Sequence, residues 1–251
     1  MTLLHATILG FIEGVTEFLP ISSTAHMIMG ARIMGLSQTE FQKFFEVFIQ
    51  IGAIFAVVFL YGKKFFDWKL VKQLLASFIP TAIIGFALYK VIKTVFFESN
   101  MLIAASLIIV GLVFIIVERK KLQLKKSITA MTLQQAVIIG LAQSLAVVPG
   151  VSRAGIVIIA MILLGFKREE SAQYSFMLAL PTIASASLYD LYKMKGIHLS
   201  GNQTQMIVVG LVVSFVVAYV SIKWFVSYLQ KQKLTNFGFY RIGIGIISLF
   251  F

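Results

Sequence analysis

Residues 2–35, TLLHATILGFIEGVTEFLPISSTAHMIMGARIMG, return 130 positions later as residues 132–165, TLQQAVIIGLAQSLAVVPGVSRAGIVIIAMILLG. Laid together without a gap, Thr2 meets Thr132, Leu3 meets Leu133, Ala6 meets Ala136 and Ile8 meets Ile138. Gly10 meets Gly140, Ser22 meets Ser152 and Gly35 meets Gly165; Glu13 falls on Gln143, and farther along Glu40 falls on Glu170. A small apolar alphabet produces chance matches, so the glycines and the serine carry the inference of an internal duplication. Both stretches are apolar but interrupted, the first by Pro20, Ser22, Ser23, Thr24 and His26, the second by Pro149, Gly150, Ser152 and Arg153. Broken backbone at membrane depth is tolerated only where it is buried in protein or lines a wet cavity. Each stretch is therefore expected to be a re-entrant helical hairpin.

The rest of the chain supports a membrane reading. Of 251 residues, 59% are hydrophobic and 13% charged, with a mean hydropathy of +0.93. Soluble domains carry about a quarter charged residues, so this chain cannot cover a water-facing surface. Spans are expected at 44–62, 72–90, 101–118, 171–191, 206–224 and 237–251. The expected fold is an all-α integral membrane protein: six transmembrane helices plus two re-entrant helical hairpins in one domain, 1–251. Its repeat halves cover about 1–125 and 126–251. Three spans per half make the second half enter from the opposite side, an inverted-topology repeat with the two polar breaks meeting near the middle of the membrane.

The net charge is +12, and the basic residues sit in short loops between apolar runs. That pattern sets topology and speaks against a nucleic-acid partner. Loops on one side (63–72, 119–131, 167–168 and 223–233) carry 14 Lys and Arg; the other side carries 6: Arg32, Lys43, Lys90, Lys93, Lys193 and Lys195. The richer side is expected to be cytoplasmic, which puts both termini outside and makes the first hairpin enter from outside. The chain has no cysteine, which excludes disulfides, thiolate metal sites and cysteine nucleophiles. The N-terminal segment lacks a charged n-region and a cleavage site, so no removable signal peptide is expected.

Ionisable groups inside apolar segments are costly and become functional candidates. Here they are Glu13, Glu17, His26, Glu46 and Arg153. Glu13 and Glu17, four apart, share a helix face. Two carboxylates in a low dielectric require a proton or a cation between them, and Mg²⁺ or Ca²⁺ suits carboxylate oxygens. Internal hydrogen bonds or Arg153 are the structural alternative. Ser22, Ser23 and Thr24 after Pro20 resemble a helix N-cap, whose free N–H groups bind phosphate. Ser23 and His26 are one turn apart, so a nucleophile and its base can meet there, with Glu17 available to orient the base. Gly150 and Gly155 permit close backbone approach to a ligand beside Ser152, a further candidate to bind it, and the Arg153 fork suits phosphate. The structural alternative for Arg153 is an ion pair with Glu13 or Glu17. Gln50 and Gln143 are candidates to line the cavity. Glu46, at the start of a span, is expected near the surface, and His5 and His198 at the interface.

Two segments resemble a known family. Glu13-Gly-Val-Thr-Glu17-Phe-Leu-Pro-Ile-Ser-Ser-Thr-Ala-His26 resembles the first signature of the undecaprenyl-diphosphate phosphatases (bacitracin-resistance family), and Pro149-Gly-Val-Ser-Arg153-Ala-Gly resembles the second. The resemblance implies removal of the terminal phosphate from a C55 polyprenyl diphosphate lipid, at the outer face of the bacterial cytoplasmic membrane, with a divalent cation. That activity recycles the peptidoglycan lipid carrier. It implies Ser23 or His26 as nucleophile, Glu17 as its partner, Glu13 and Glu17 as metal-associated, and Arg153 as phosphate clamp. This chain departs from the family pattern at Ala25 (usually Gly), Ala154 (usually Ser) and Val157 (usually Thr); activity is expected to survive because no charged residue is lost. Two other classes fit the same scaffold: a polyprenyl-phosphate transporter or flippase, and an inactive lipid-binding homologue. An oligomer is compatible with the sequence and not required by it.

Overall fold

The computed structural model describes residues 1–37, 39–89, 99–193 and 199–250. Lys90, Lys93, Lys195 and His198, and the last residue of the expected 237–251 span, lie outside them. Among the described residues the chain is helical. Ten α-helices run α1 (Leu3–Thr16), α2 (Ser23–Ile33), α3 (Glu40–Tyr61), α4 (Trp68–Ala87), α5 (Asn100–Arg119), α6 (Leu133–Gln143), α7 (Arg153–Leu163), α8 (Arg168–Lys193), α9 (Gly201–Lys231) and α10 (Thr235–Ser248). A single isolated parallel bridge joins Lys126 to Phe166.

Four of these segments are long and apolar enough to cross a membrane: Glu40–Phe66, Trp68–Ala87, Asn100–Arg119 and Gly201–Lys231. They contain the spans expected at 44–62, 101–118 and 206–224 and most of the one at 72–90. The remaining two expected spans form helices of a different kind. α8 is 26 residues long but carries Ser171, Ser175 and Ser187, all buried, so its polar side faces protein. α10 has 14 residues, short of the roughly 20 that a bilayer core requires.

The two interrupted stretches fold as helix pairs, α1–α2 and α6–α7. Helices of 14 and 11 residues rise about 21 and 16 Å, less than the ~30 Å hydrocarbon core. Their local geometry matches position for position. Thr2 and Thr132 each close a capping box, with His5 and Gln135 respectively. Ser22 (φ 73°) and Ser152 (φ 71°) are the only non-glycine residues with positive φ among those described, and each accepts the third N–H of the following helix, from Ala25 and Gly155. Gly35 and Gly165 close those helices at φ 65° and 88°.

Packing is matched too. α1 packs chiefly on α9, and α6 chiefly on α4. Both contacts need a glycine: a Cβ on Gly10 would lie 2.6 Å from Gly210 O, and one on Gly140 would overlap the Ser77 carbonyl. Backbones this close, stitched by small and hydroxylated residues, are how helices associate where lipid removes the hydrophobic incentive. Ser77 Oγ donates to Ala136 O at 2.7 Å and Thr81 Oγ1 to Gly140 O at 2.9 Å. α5 and α10 approach likewise through Gly111 and Gly238. At one end of this pair, buried Glu118 accepts Nε of Arg168 at 2.8 Å and the backbone N–H of Leu234 at 3.0 Å, tying α5, α8 and the start of α10 together. Large apolar side chains such as Phe59, Ile83, Phe86, Ile109 and Val220 project outward, as a lipid-facing surface demands.

Candidate active site

The breaks at 17–22 and 144–152 bring their polar residues together inside the helix pack. Glu17 ends the helical geometry of α1, and Ser23 opens α2. The turn between them folds back so that Ser23 Oγ donates to Glu17 Oε2 at 2.6 Å. Arg153, the first residue of α7, reaches across from the second break: its NH2 donates to Glu17 Oε1 at 2.9 Å and its NH1 to Ser175 O of α8 at 2.8 Å. The Arg153–Glu17 ion pair named above as the structural alternative is thus present, and it places the guanidinium beside the Ser23 hydroxyl. The pair is 11% and 9% exposed, with the Phe18 ring 5.9 Å from the guanidinium carbon. Charge-assisted bonds in such a setting are short and strong.

Glu13 lies one turn back on α1, 1% exposed, and its Oε1 has no hydrogen-bond partner among the described residues. It is within electrostatic range of Glu17, Glu46 and Arg153. Glu46, expected near the surface, is half-buried instead; it accepts from Gln42 Nε2 at 2.8 Å. A buried carboxylate oxygen with no donor, facing a second carboxylate, is a donor set that fits a hard cation. No group of three or more His, Cys, Asp and Glu able to hold a metal occurs among the described residues.

Ser22 and Ser152 serve as the caps of α2 and α7 at positive φ, a strained conformation that concentrates at ligand sites. Thr24 and Ser152 are half-buried beside the cluster, and Gly150 turns at φ 92° where a Cβ would lie 2.6 Å from Ile103 O. Gln143, in the position equivalent to Glu13, is fully buried and donates to Thr81 Oγ1 at 2.8 Å. Ala25, Ala154 and Val157 are all fully buried, and Val157 belongs to the apolar cluster that includes Tyr174 and Met177. The hydroxyl absent at position 157 therefore concerns a buried position of α7, one helical turn beyond Arg153. His5 stays at the entry of α1, in its capping box.

His26 is placed differently from its expected pairing with Ser23. Its Nδ1 lies 2.8 Å from Ser22 O and its Nε2 2.8 Å from Tyr240 Oη, with the two rings stacked at 5.7 Å. A carbonyl only accepts, so Nδ1 carries the proton and, in the neutral ring, Nε2 accepts from Tyr240. The sequence reading missed Tyr240 and its neighbour Arg241, a fully buried cation in α10. A signal for Arg241 was available, because an arginine inside an apolar stretch is a functional candidate. Nothing local distinguished Tyr240 from the other aromatic residues.

Comparison with known proteins agrees with the two sequence signatures. The family model described as bacitracin resistance protein BacA matches residues 6–247. The chain is 46% identical over 250 residues to the undecaprenyl-diphosphatase of Sulfurihydrogenibium sp. (strain YO3AOP1), covering 98% of each. It is 42% identical over 250 residues to that of Aquifex aeolicus (strain VF5), covering 98% of this chain and 97% of the other. It is 46% identical over 258 residues to that of Campylobacter fetus subsp. fetus (strain 82-40), covering 100% and 99%. With the match extending over nearly its whole length, the chain belongs to the bacitracin resistance protein BacA family.

Proposed function

We propose that this protein hydrolyses undecaprenyl, or a similar polyprenyl, diphosphate to the monophosphate and inorganic phosphate. The observation that carries the chemistry is the Arg153–Glu17–Ser23 chain, a hydroxyl held at 2.6 Å by a carboxylate that is itself held at 2.9 Å by a guanidinium. Glu17 accepts the Ser23 proton as Oγ attacks the terminal phosphorus, and the bond to the bridging oxygen breaks. The polyprenyl monophosphate leaves, and water then releases phosphate from Ser23. The Arg153 fork, freed in part from Glu17, holds equatorial phosphoryl oxygens, and the N–H groups opening α2 and α7 add further donors. His26 stands one turn from Ser23 with its basic nitrogen toward Tyr240, placed to exchange protons with water or leaving group. Glu13 and Glu17 would hold a divalent cation, Mg²⁺ or Ca²⁺. When bound, that ion neutralises diphosphate charge. A carrier needs no hydroxyl aligned on a carboxylate, so this cluster favours hydrolysis over transport.

The same reading includes a membrane arrangement. The matched caps, positive-φ serines and glycine contacts of the two helix pairs support an inverted repeat of halves 1–125 and 126–251. In it both pairs are re-entrant, and α8 and α10 cross with the four long apolar helices. The loop charges support an outward-facing site in the cytoplasmic membrane. The test is phosphate release from a polyprenyl diphosphate by purified protein in detergent, with and without EDTA. Release that EDTA abolishes is expected; no release by folded protein would overturn the reading.

A further inference from the structure

Arg241 lies in α10 with its side chain fully buried. Its two terminal nitrogens donate to backbone, NH1 to Pro20 O at 2.9 Å and NH2 to Gly150 O at 2.5 Å and to Val151 O at 3.1 Å, while the buried Nε has no partner among the described residues. The guanidinium carbon stands 5.5 Å from the Phe114 ring centre. The acceptors belong to both breaks. Pro20 precedes Ser23 by three residues, and Val151 precedes Arg153 by two. Carbonyls released from helical bonding this deep in an apolar protein require a donor, and a planar fork can serve two segments at once. The position 130 residues earlier is Gly111, so only one half supplies the fork.

We propose that Arg241 is a positioning residue for phosphoryl transfer: by fixing the separation of the two breaks, it sets Arg153 against Glu17 and Ser23. This rests on the phosphatase reading. Arg241 touches the backbone of the breaks and acts through the placement of Arg153. A lysine there keeps the charge but, as a compact ammonium, cannot reach Pro20 O and the Gly150–Val151 carbonyls together. The breaks would then drift, and a misplacement of about 1 Å can cost on the order of 10²-fold in rate.

The experiment compares kcat and KM, per folded molecule, for wild type, Arg241→Lys, Arg153→Lys and the double variant. Arg241→Lys should lower kcat by about 10- to 100-fold with a much smaller change in KM. Because the loss passes through Arg153, the double variant should be about as slow as Arg153→Lys alone, since residues that share one interaction are non-additive. A purely structural role moves yield and unfolding temperature and leaves kcat per folded molecule unchanged, whereas an effect independent of Arg153 makes the two kcat losses multiply. Wild-type kcat in folded Arg241→Lys, or losses that multiply, would overturn the proposal. If the lysine variant is not recovered folded, Arg241→Gln, which removes the buried charge with the fork, is put through the same cycle under the same criteria. Absence of phosphate release by folded wild type would remove the phosphatase reading and this inference together, whereas an active wild type with an indifferent Arg241 removes this inference alone.

Discussion

Substitutions at Arg153 separate holding a phosphate from neutralising a glutamate. Arg153 donates to Glu17 Oε1 at 2.9 Å and to Ser175 O at 2.8 Å, in a pair 11% and 9% exposed. Arg153→Ala deletes both bonds and leaves Glu17 held by the Ser23 hydroxyl. Breaking a buried pair from one side costs about 3–5 kcal/mol, and the residual exposure argues for the lower end. At about 2–4 °C per kcal/mol for a chain of this size, unfolding should fall by roughly 6–12 °C. Adding Glu17→Gln removes the stranded charge and should restore part of that stability. Arg153→Lys keeps the charge and one of the two contacts, so its stability loss should be about 1 kcal/mol. Turnover should behave otherwise. A donor aimed at developing transition-state charge is worth about 10²–10³ in kcat, and lysine cannot reproduce the planar grip on two phosphate oxygens. Both variants should therefore lose at least about 10²-fold in phosphate release, whatever their stability. The assay is phosphate release per folded molecule, with unfolding followed on the same preparations. Wild-type turnover in folded Arg153→Ala, or full rescue by lysine, would show that Arg153 serves only as the counter-ion of Glu17.

Three further outcomes are expected. Gly140→Ala drives a Cβ to 2.8 Å from both Cα and C of Ser77, so α6 must shift from α4 at a cost of about 1–3 kcal/mol; Gly62→Ala, where a Cβ meets open space, should unfold like wild type, and equal behaviour of the two would refute the close-contact argument. Glu13→Gln removes the charge from the buried, unpartnered oxygen and should weaken the response of phosphate release to added Mg²⁺ or Ca²⁺; an unchanged metal titration would take Glu13 out of the cation site. Reporters fused at the C-terminus and within 119–131 should read outside and cytoplasmic respectively, and the reverse pattern would turn the proposed site inward.

The helix pairs were legible because their determinants are local. Thr2, Thr132, Ser22 and Ser152 cap helices through bonds that span three residues, and Gly35 and Gly165 end them through their own backbone freedom. Hydropathy summed along a segment likewise identified the four long apolar helices. It did not show that the serines of α8 face protein or that α10 is a helix of only 14 residues. An apolar average does not report which face is buried or where the helix stops.

The chemistry divided along the same line. The residue types and their spacing named Glu13, Glu17, Ser23, His26 and Arg153, because an ionisable group in an apolar segment is conspicuous wherever it packs. Which of them touch was decided by tertiary structure. Ser23 is bonded to Glu17, while His26 turns to Tyr240, 214 residues away. Arg241 spans 221 residues to reach Pro20. A hydrogen bond between distant segments depends on how several helices pack at once, and glycines such as Gly10 and Gly140 set those distances by letting backbones touch. The sequence alone therefore determined the apolar segments, the duplicated breaks and the polar groups they carry. Only the packing of α1, α2, α7, α8 and α10 decided which donor faces which acceptor, because that is a property of interhelical distance and has no signature along the chain.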